Sequence, residues 1–178
     1  MNYTAWLKEQ GFRFHPVELT ENRARQLAEP VEDPGTPLIE VNGLVVHHSA
    51  TPSGSAGCFR VLHRGISHWN DIGYHYVIGN GTHSGNGQVE EGRRVPYRGA
   101  HARGANHDTL GICLVGNFND TKPSRAQMEA LGELLRSLLS RWSLISSSVT
   151  LHRLVKGSST ECPGRHLTLD EIRECVDK

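Results

Sequence analysis

The run Leu110-Gly111-Ile112-Cys113-Leu114-Val115-Gly116 constrains the fold more than any other stretch of the chain. It is continuously apolar and has β-branched content, so it predicts a buried strand lying centrally in a sheet, although periodicity does not by itself separate it from other buried states. The neighbouring patterns supply its partners. Ser124 to Trp142 carries apolar residues at Met128, Leu131, Leu134, Leu135, Leu138, Leu139 and Trp142, the stripe of a long core-packed helix, with Ser124 as its N-cap after Pro123. Thr168 to Val176 predicts a closing helix, capped by Thr168 with Glu171 three residues later. Leu44-Val45-Val46 is a short strand ending in His47, followed by a helix from about Ser55 to Trp69. Gly73 to Ile78 and Gln88 to Gly92 flank a turn-rich stretch and predict a β-hairpin with an enlarged tip, and Val149 to His152 a last strand. The fold class is α/β, a sandwich around one sheet.

With 178 residues the chain fits one domain and buries a core without disulfide or metal staples. Residues 1–38 read as an N-terminal arm packing on the domain formed by residues 39–178. The arm has helical patterns near Tyr3 to Gln10 and Thr20 to Leu27, then the breaker-rich stretch from Glu29 to Pro37. Nineteen Lys plus Arg balance nineteen Asp plus Glu, which removes any global electrostatic drive toward nucleic acid or an anionic membrane. No basic start followed by an apolar core opens the chain, and no apolar run reaches spanning length, so cytoplasmic synthesis without membrane insertion is expected. Four scattered cysteines do not read as a disulfide framework: Cys113 belongs to the core, and Cys58 and Cys175 are expected as thiols unless the protein is exported and they pair.

The chemistry-bearing residues are few and far apart. Val45-Val46-His47-His48-Ser49-Ala50-Thr51 comes early, Gly73-Tyr74-His75-Tyr76 between, and His152 and Cys162 late. Imidazole and thiolate are good zinc donors, and three protein ligands leave a fourth position open, the pattern of a catalytic rather than a structural site. On a regular strand His47 and His48 point to opposite faces, so one is a ligand candidate and the other structural. By the same alternation Tyr74 and Tyr76 share a face and His75 points away, leaving a tyrosine to join the pocket. Among eleven histidines, His63, His68, His83 and His107 read as surface or hydrogen-bonded residues, and His166 rivals the ligands on spacing alone.

Five blocks in order, VVHHSAT, DIGYHYVI, VEEGR, GAHARGANHDTLGICLVGNF and TECPG, resemble the zinc-dependent N-acetylmuramoyl-L-alanine amidases of the type 2 class. These share a fold with peptidoglycan recognition proteins and some phage lysozymes. The resemblance spans about Leu44 to Val176 and rests on separated blocks agreeing. It implies a mixed central β-sheet flanked by helices and a Zn2+ ion in a surface groove, held by His47, His152 and Cys162. It places Tyr74 beside the open position and Thr160 near the substrate carbonyl as catalytic residues. His101 and Asn106 would line the groove and bind substrate. The implied substrate is peptidoglycan, and the bond is the amide between N-acetylmuramic acid and L-alanine.

Two departures stand out. Cys162 follows His152 by ten positions, longer than the family pattern, and the Gly79 to Gly87 tip is also longer. The added residues are small, so a looped excursion preserves both ligands. Recycling members of the class tend to carry a carboxylate where this chain has Tyr74, which favours a monomeric phage or prophage-type endolysin that reaches the wall after release or export. The alternatives are a non-catalytic peptidoglycan-binding receptor, and an amidase whose N-terminal arm regulates a protein partner.

Overall fold

The computed structural model describes residues 1–177. Two helices open the chain, α1 (Tyr3–Glu9) and α2 (Glu21–Ala28). Then come β1 (Gly43–His48), α3 (Ala56–Gly65), β2 (Tyr76–Ile78), β3 (Val89–Glu91), β4 (Thr109–Leu114), α4 (Arg125–Arg141), β5 (Val149–Leu151) and α5 (Leu169–Val176). The five strands form one mixed sheet in the order β3-β2-β4-β1-β5, with β2, β4, β1 and β5 parallel and only β3 antiparallel. The apolar run at Leu110 therefore takes the middle position, as its composition predicts. The hairpin is β2 paired with β3, with Ile78 opposite Val89. No helix among the described residues is long and apolar enough to cross a membrane.

One face of the sheet is covered by α4 and α5. Leu44, Val46, Leu110, Ile112, Leu114 and Leu151 meet Leu131, Leu135, Leu138 and Ile172 there in a continuous hydrocarbon cluster. Helix α4 begins on a full capping box, in which Ser124 accepts from the Gln127 backbone and the Gln127 side chain accepts in return. The Gln127 amide also donates to Val115 O at 2.9 Å, fastening the helix start to the end of β4. A side chain at Gly132 would collide with the Cys175 carbonyl, so glycine there sets the close approach of α4 and α5.

The opposite face is covered by α1, α2 and α3. Trp6, Leu7, Leu19, Ala24 and Leu27 from residues 1–38 are buried together with Phe59, Val61, Ile72, Val77, Cys113 and Val115. Glu21 joins the first two helices by accepting from the Thr4 and Tyr3 backbone N–H groups at the start of α1, where an acidic group also suits the helix dipole. Buried arginines fasten the connection. Arg60 pairs with Asp71 at 2.7 Å and donates to the Ala28 and Gly92 carbonyls. Arg93 donates to Ile72, Asp71 and Pro34 carbonyls.

Three expectations are corrected. Helix α3 stops at Gly65 rather than Trp69, because the chain turns after its C-cap Ile66 and His68 adopts a left-handed φ of 57°. Tyr74 and Tyr76 do not share a face: β2 begins only at Tyr76, which packs on the α4 side, whereas Tyr74 lies outside the regular strand and packs on the α3 side. Likewise His152 does not extend β5 but opens a 3₁₀ turn over His152–Leu154. Cys58 and Cys175 form no disulfide; Cys58 is buried on the α3 face and Cys175 belongs to α5 on the other.

Candidate metal centre

Strand β1 delivers His47 and His48 to opposite sides of the sheet, as alternation requires. His48 turns to the α4 side, where its Nδ1 accepts from the Phe118 backbone N–H at 3.1 Å and its ring lies against Phe118. His47 faces the other side in register with Cys113 of β4. There it meets His152, whose ring centroid is 4.5 Å away, and Cys162, whose Sγ is 3.7 Å from His47 Nδ1.

One donor atom from each of His47, His152 and Cys162 lies within 4.8 Å of the others. Zinc held tetrahedrally at the usual Zn–N and Zn–S lengths separates a nitrogen from a sulfur donor by about 3.6 Å, so the His47 to Cys162 spacing already fits and the set needs only slight contraction. The electrostatics fit as well. Burial, reinforced by His101, His152, His48 and His75, pushes the His47 pKa well below its ordinary value and keeps the ring neutral. Burial pushes the Cys162 thiol up to about 11, partly opposed by the His48 N–H and Arg153, so a cation binding there has to displace the thiol proton.

The long connection between the last two donors closes on itself. Arg153 N donates to Cys162 O at 2.8 Å, which ties the two ends, and the intervening residues turn back through Val155 N to His152 O and Ser158 N to Val155 O. The Arg153 guanidinium donates to the Gly164 and Leu167 carbonyls beyond Cys162. His48 N points at Cys162 Sγ at 3.4 Å, so the sulfur is held by β1 as well as by its own loop.

The other expected residues fall into three places. Tyr74 lies with its ring 5.3 Å from His47 and its hydroxyl beside the Cys113 thiol. Its pKa is raised well above the usual value by burial, then by Cys113 and Cys162. Thr160 is exposed, accepts from Cys162 N at 3.2 Å, and lines a cavity of about 500 Å³ with Asn119, Arg153, Glu161 and Arg165. His101 is buried, with Nδ1 3.1 Å from His47 Nε2 and Nε2 3.3 Å from Thr109 O. Asn106 Oδ1 accepts from both the His101 and the Ala102 backbone at 2.9 Å, which fixes the turn that carries His101.

Sequence reasoning missed several neighbours. His75 accepts from Gly111 N and contacts Tyr97 O, standing beside His101 rather than away from the site. His63 accepts from Gly73 N, stacks on Trp69 and touches the Tyr74 ring, whereas His68, His83 and His107 are exposed. Nothing in the histidine spacing separates His63 from the exposed three; only the amphipathic face of α3 does. His166 is not in the donor cluster and instead lines a cavity with Lys122, Met128 and Glu171.

Comparison with known proteins agrees with this geometry. Residues 37–165 match the family model for N-acetylmuramoyl-L-alanine amidase. The chain is 38% identical over 138 residues to peptidoglycan-recognition protein SC2 of Drosophila melanogaster, covering 72% of this chain and 71% of that one. It is 34% identical over 163 residues to a peptidoglycan recognition protein of Trichoplusia ni, covering 87% and 80%. Among solved structures, N-acetylmuramoyl-L-alanine amidase LysC from Clostridium intestinale URNW is similar with a TM-score of 0.71 at 29% identity, over 83% of this chain and 94% of that one.

Proposed function

The chain belongs to the N-acetylmuramoyl-L-alanine amidase family, and we propose that it is a zinc-dependent hydrolase of the amide joining N-acetylmuramic acid to the L-alanine of a peptidoglycan stem peptide. The observation that carries this reading is the donor cluster of His47, His152 and Cys162. Two imidazoles and a thiolate suit zinc, whereas magnesium and calcium favour oxygen donors. Bound zinc supplies a Lewis acid for the scissile carbonyl and a water nucleophile available near neutral pH.

The chain's own residues then orient and stabilise. Tyr74, kept protonated by its buried setting, serves as an O–H donor to charge developing on the carbonyl oxygen rather than as a base. Thr160 supplies a second hydroxyl from the rim, on the loop that also carries Cys162. Asn106 shapes the groove wall by holding the turn at His101 and Ala102. We extend the reading to a monomeric endolysin of phage or prophage type, acting on the wall after release or export. Tyr74, where recycling members of the class resemble one another in carrying a carboxylate, supports that extension.

The recognition-protein relatives favour a second reading, a receptor that binds peptidoglycan without cutting it. The complete donor set weighs against it. Mass spectrometry of purified sacculi digested with the protein, with chelator and with zinc add-back, separates the two. Free stem peptides beginning at L-alanine, lost with chelator and restored by zinc, support the amidase; wall binding with tight zinc and no cleavage establishes the receptor. His47→Ala, His152→Ala and Cys162→Ala should each abolish zinc binding and hydrolysis, and full activity in metal-free Cys162→Ala protein would refute the zinc mechanism.

A further inference from the structure

A histidine can ligate through either ring nitrogen, and which one is bare is set by the hydrogen bond the other makes. At His47 the geometry makes that choice explicit. Its Nδ1 faces Cys162 Sγ, and its Nε2 lies 3.1 Å from His101 Nδ1. Two imidazole nitrogens in contact need one proton between them, and the far side of His101 decides where it sits. His101 Nε2 contacts the Thr109 carbonyl oxygen at 3.3 Å, and a carbonyl has no proton to give. His101 Nε2 is therefore the N–H of that ring and its Nδ1 is the acceptor.

We infer that His101 is a positioning residue: it accepts the Nε2–H of His47 and so fixes His47 in the tautomer whose bare Nδ1 faces His152 and Cys162. The inference rests on reading the cluster as a zinc centre, but the proton order along Thr109 O, His101 and His47 exists before any ion binds.

The surrounding backbone is cut to hold the His101 ring. A Cβ at Gly111 would overlap His101 Cγ, and one at Gly99 would overlap His101 Cδ2. Gly111 sits inside the central strand β4, where glycine is disfavoured relative to alanine for its entropy and its missing side chain. Its use there clears the floor on which the imidazole lies. Asn106 holds the backbone of His101 from the other side, with one Oδ1 shared between two N–H groups. The block GAHARGAN together with Thr109-Leu110-Gly111 is thus one device: a turn, an acceptor and a cleared strand that set a proton on the neighbouring ligand.

Two measurements test it. Imidazole ¹⁵N spectra of the zinc-free protein should show His47 and His101 both as Nε2–H tautomers; His47 found as the Nδ1–H tautomer overturns the inference. Zinc affinity by chelator competition should fall about 10–100-fold in His101→Phe, which fills the space without an acceptor, as for other residues that orient metal-ligating histidines. His101→Asn, whose Oδ1 takes the place of Nδ1, should recover part of that loss. Wild-type zinc affinity in a folded His101→Phe protein also overturns it. If the phenylalanine variant does not fold, the wild-type spectra decide alone. Neither readout needs peptidoglycan, so a protein with the expected tautomers and tight zinc that cuts no sacculi would end the amidase reading and leave this one intact.

Discussion

The two faces of the sheet are built on different principles. Toward α4 and α5 the interior is hydrocarbon, with Leu110, Ile112, Leu114, Leu131, Leu135 and Leu151 all fully buried. Toward α1, α2 and α3 the apolar cluster around Phe59 gives way to a buried polar region holding Arg60, Asp71, Arg93, His75, His101 and His47, each under a tenth exposed. An apolar face needs only volume and tolerates conservative exchange. A polar face needs each group to find a partner, so a single deletion strands whatever it was paired with. The candidate metal donors converge around His47 on the second face, whereas His48 on the first is held by the Phe118 backbone N–H.

The comparison can be broken in graded ways. Arg60→Met should cost the most, about 3–5 kcal/mol in urea unfolding, because the buried Asp71 carboxyl loses its 2.7 Å partner inside the protein. Adding Asp71→Asn should recover much of it; a double variant as unstable as the sum of both singles would show that the pair is not the coupled unit described. On the other face, Leu135→Ala should cost about 3 kcal/mol and Leu135→Met less than about 1.5 kcal/mol. Equal losses from both would mean that this face, too, depends on exact shape.

Acid should act on the polar face through its buried histidines. Burial, then Arg93, lowers the His63 pKa to about 4. The unfolded chain therefore takes up a proton near pH 6.5 that the folded chain refuses until about pH 4. Stability present above pH 6.5 is lost as pH falls through that window, on the order of 2 kcal/mol at pH 5 from this group. Unfolding of the chelator-treated protein at pH 7 and pH 5 should show a smaller difference in His63→Asn, and an unchanged difference would remove His63 as the source. The smallest effect belongs to the cap of α4: Ser124→Ala should cost about 1 kcal/mol, read as a shift in the urea midpoint at constant slope.

How much the sequence disclosed follows the same division. Helix α4, its cap, the capping box of α5, the central strand and the β2–β3 hairpin were legible because hydrocarbon periodicity and turn chemistry are local signals. The polar face was not. Nothing local in the sequence marks Arg60 of α3 as buried, and its burial depends on carbonyls of residues 28 and 92, distant in the chain. Tyr74 was assigned a face by strand alternation that does not apply before β2 begins. The set of His47, His152 and Cys162 was legible through five agreeing blocks, while the place of His101 required knowing which atoms meet.

The hydrogen bond from Arg153 N to Cys162 O has a consequence for how this centre can vary. It works as a clasp at the neck of a loop, so the count of residues in the loop is decoupled from the distance between the two ligands it joins. Doubling a flexible segment adds only about 0.6 kcal/mol of closure entropy. Gly157, at the outer turn with open space around its Cα, is where such a segment lengthens without disturbing the neck. The loop can therefore be rewritten in length and composition while His152 and Cys162 keep their places, and spacing in this part of the chain is a poor guide to whether the donor cluster is intact.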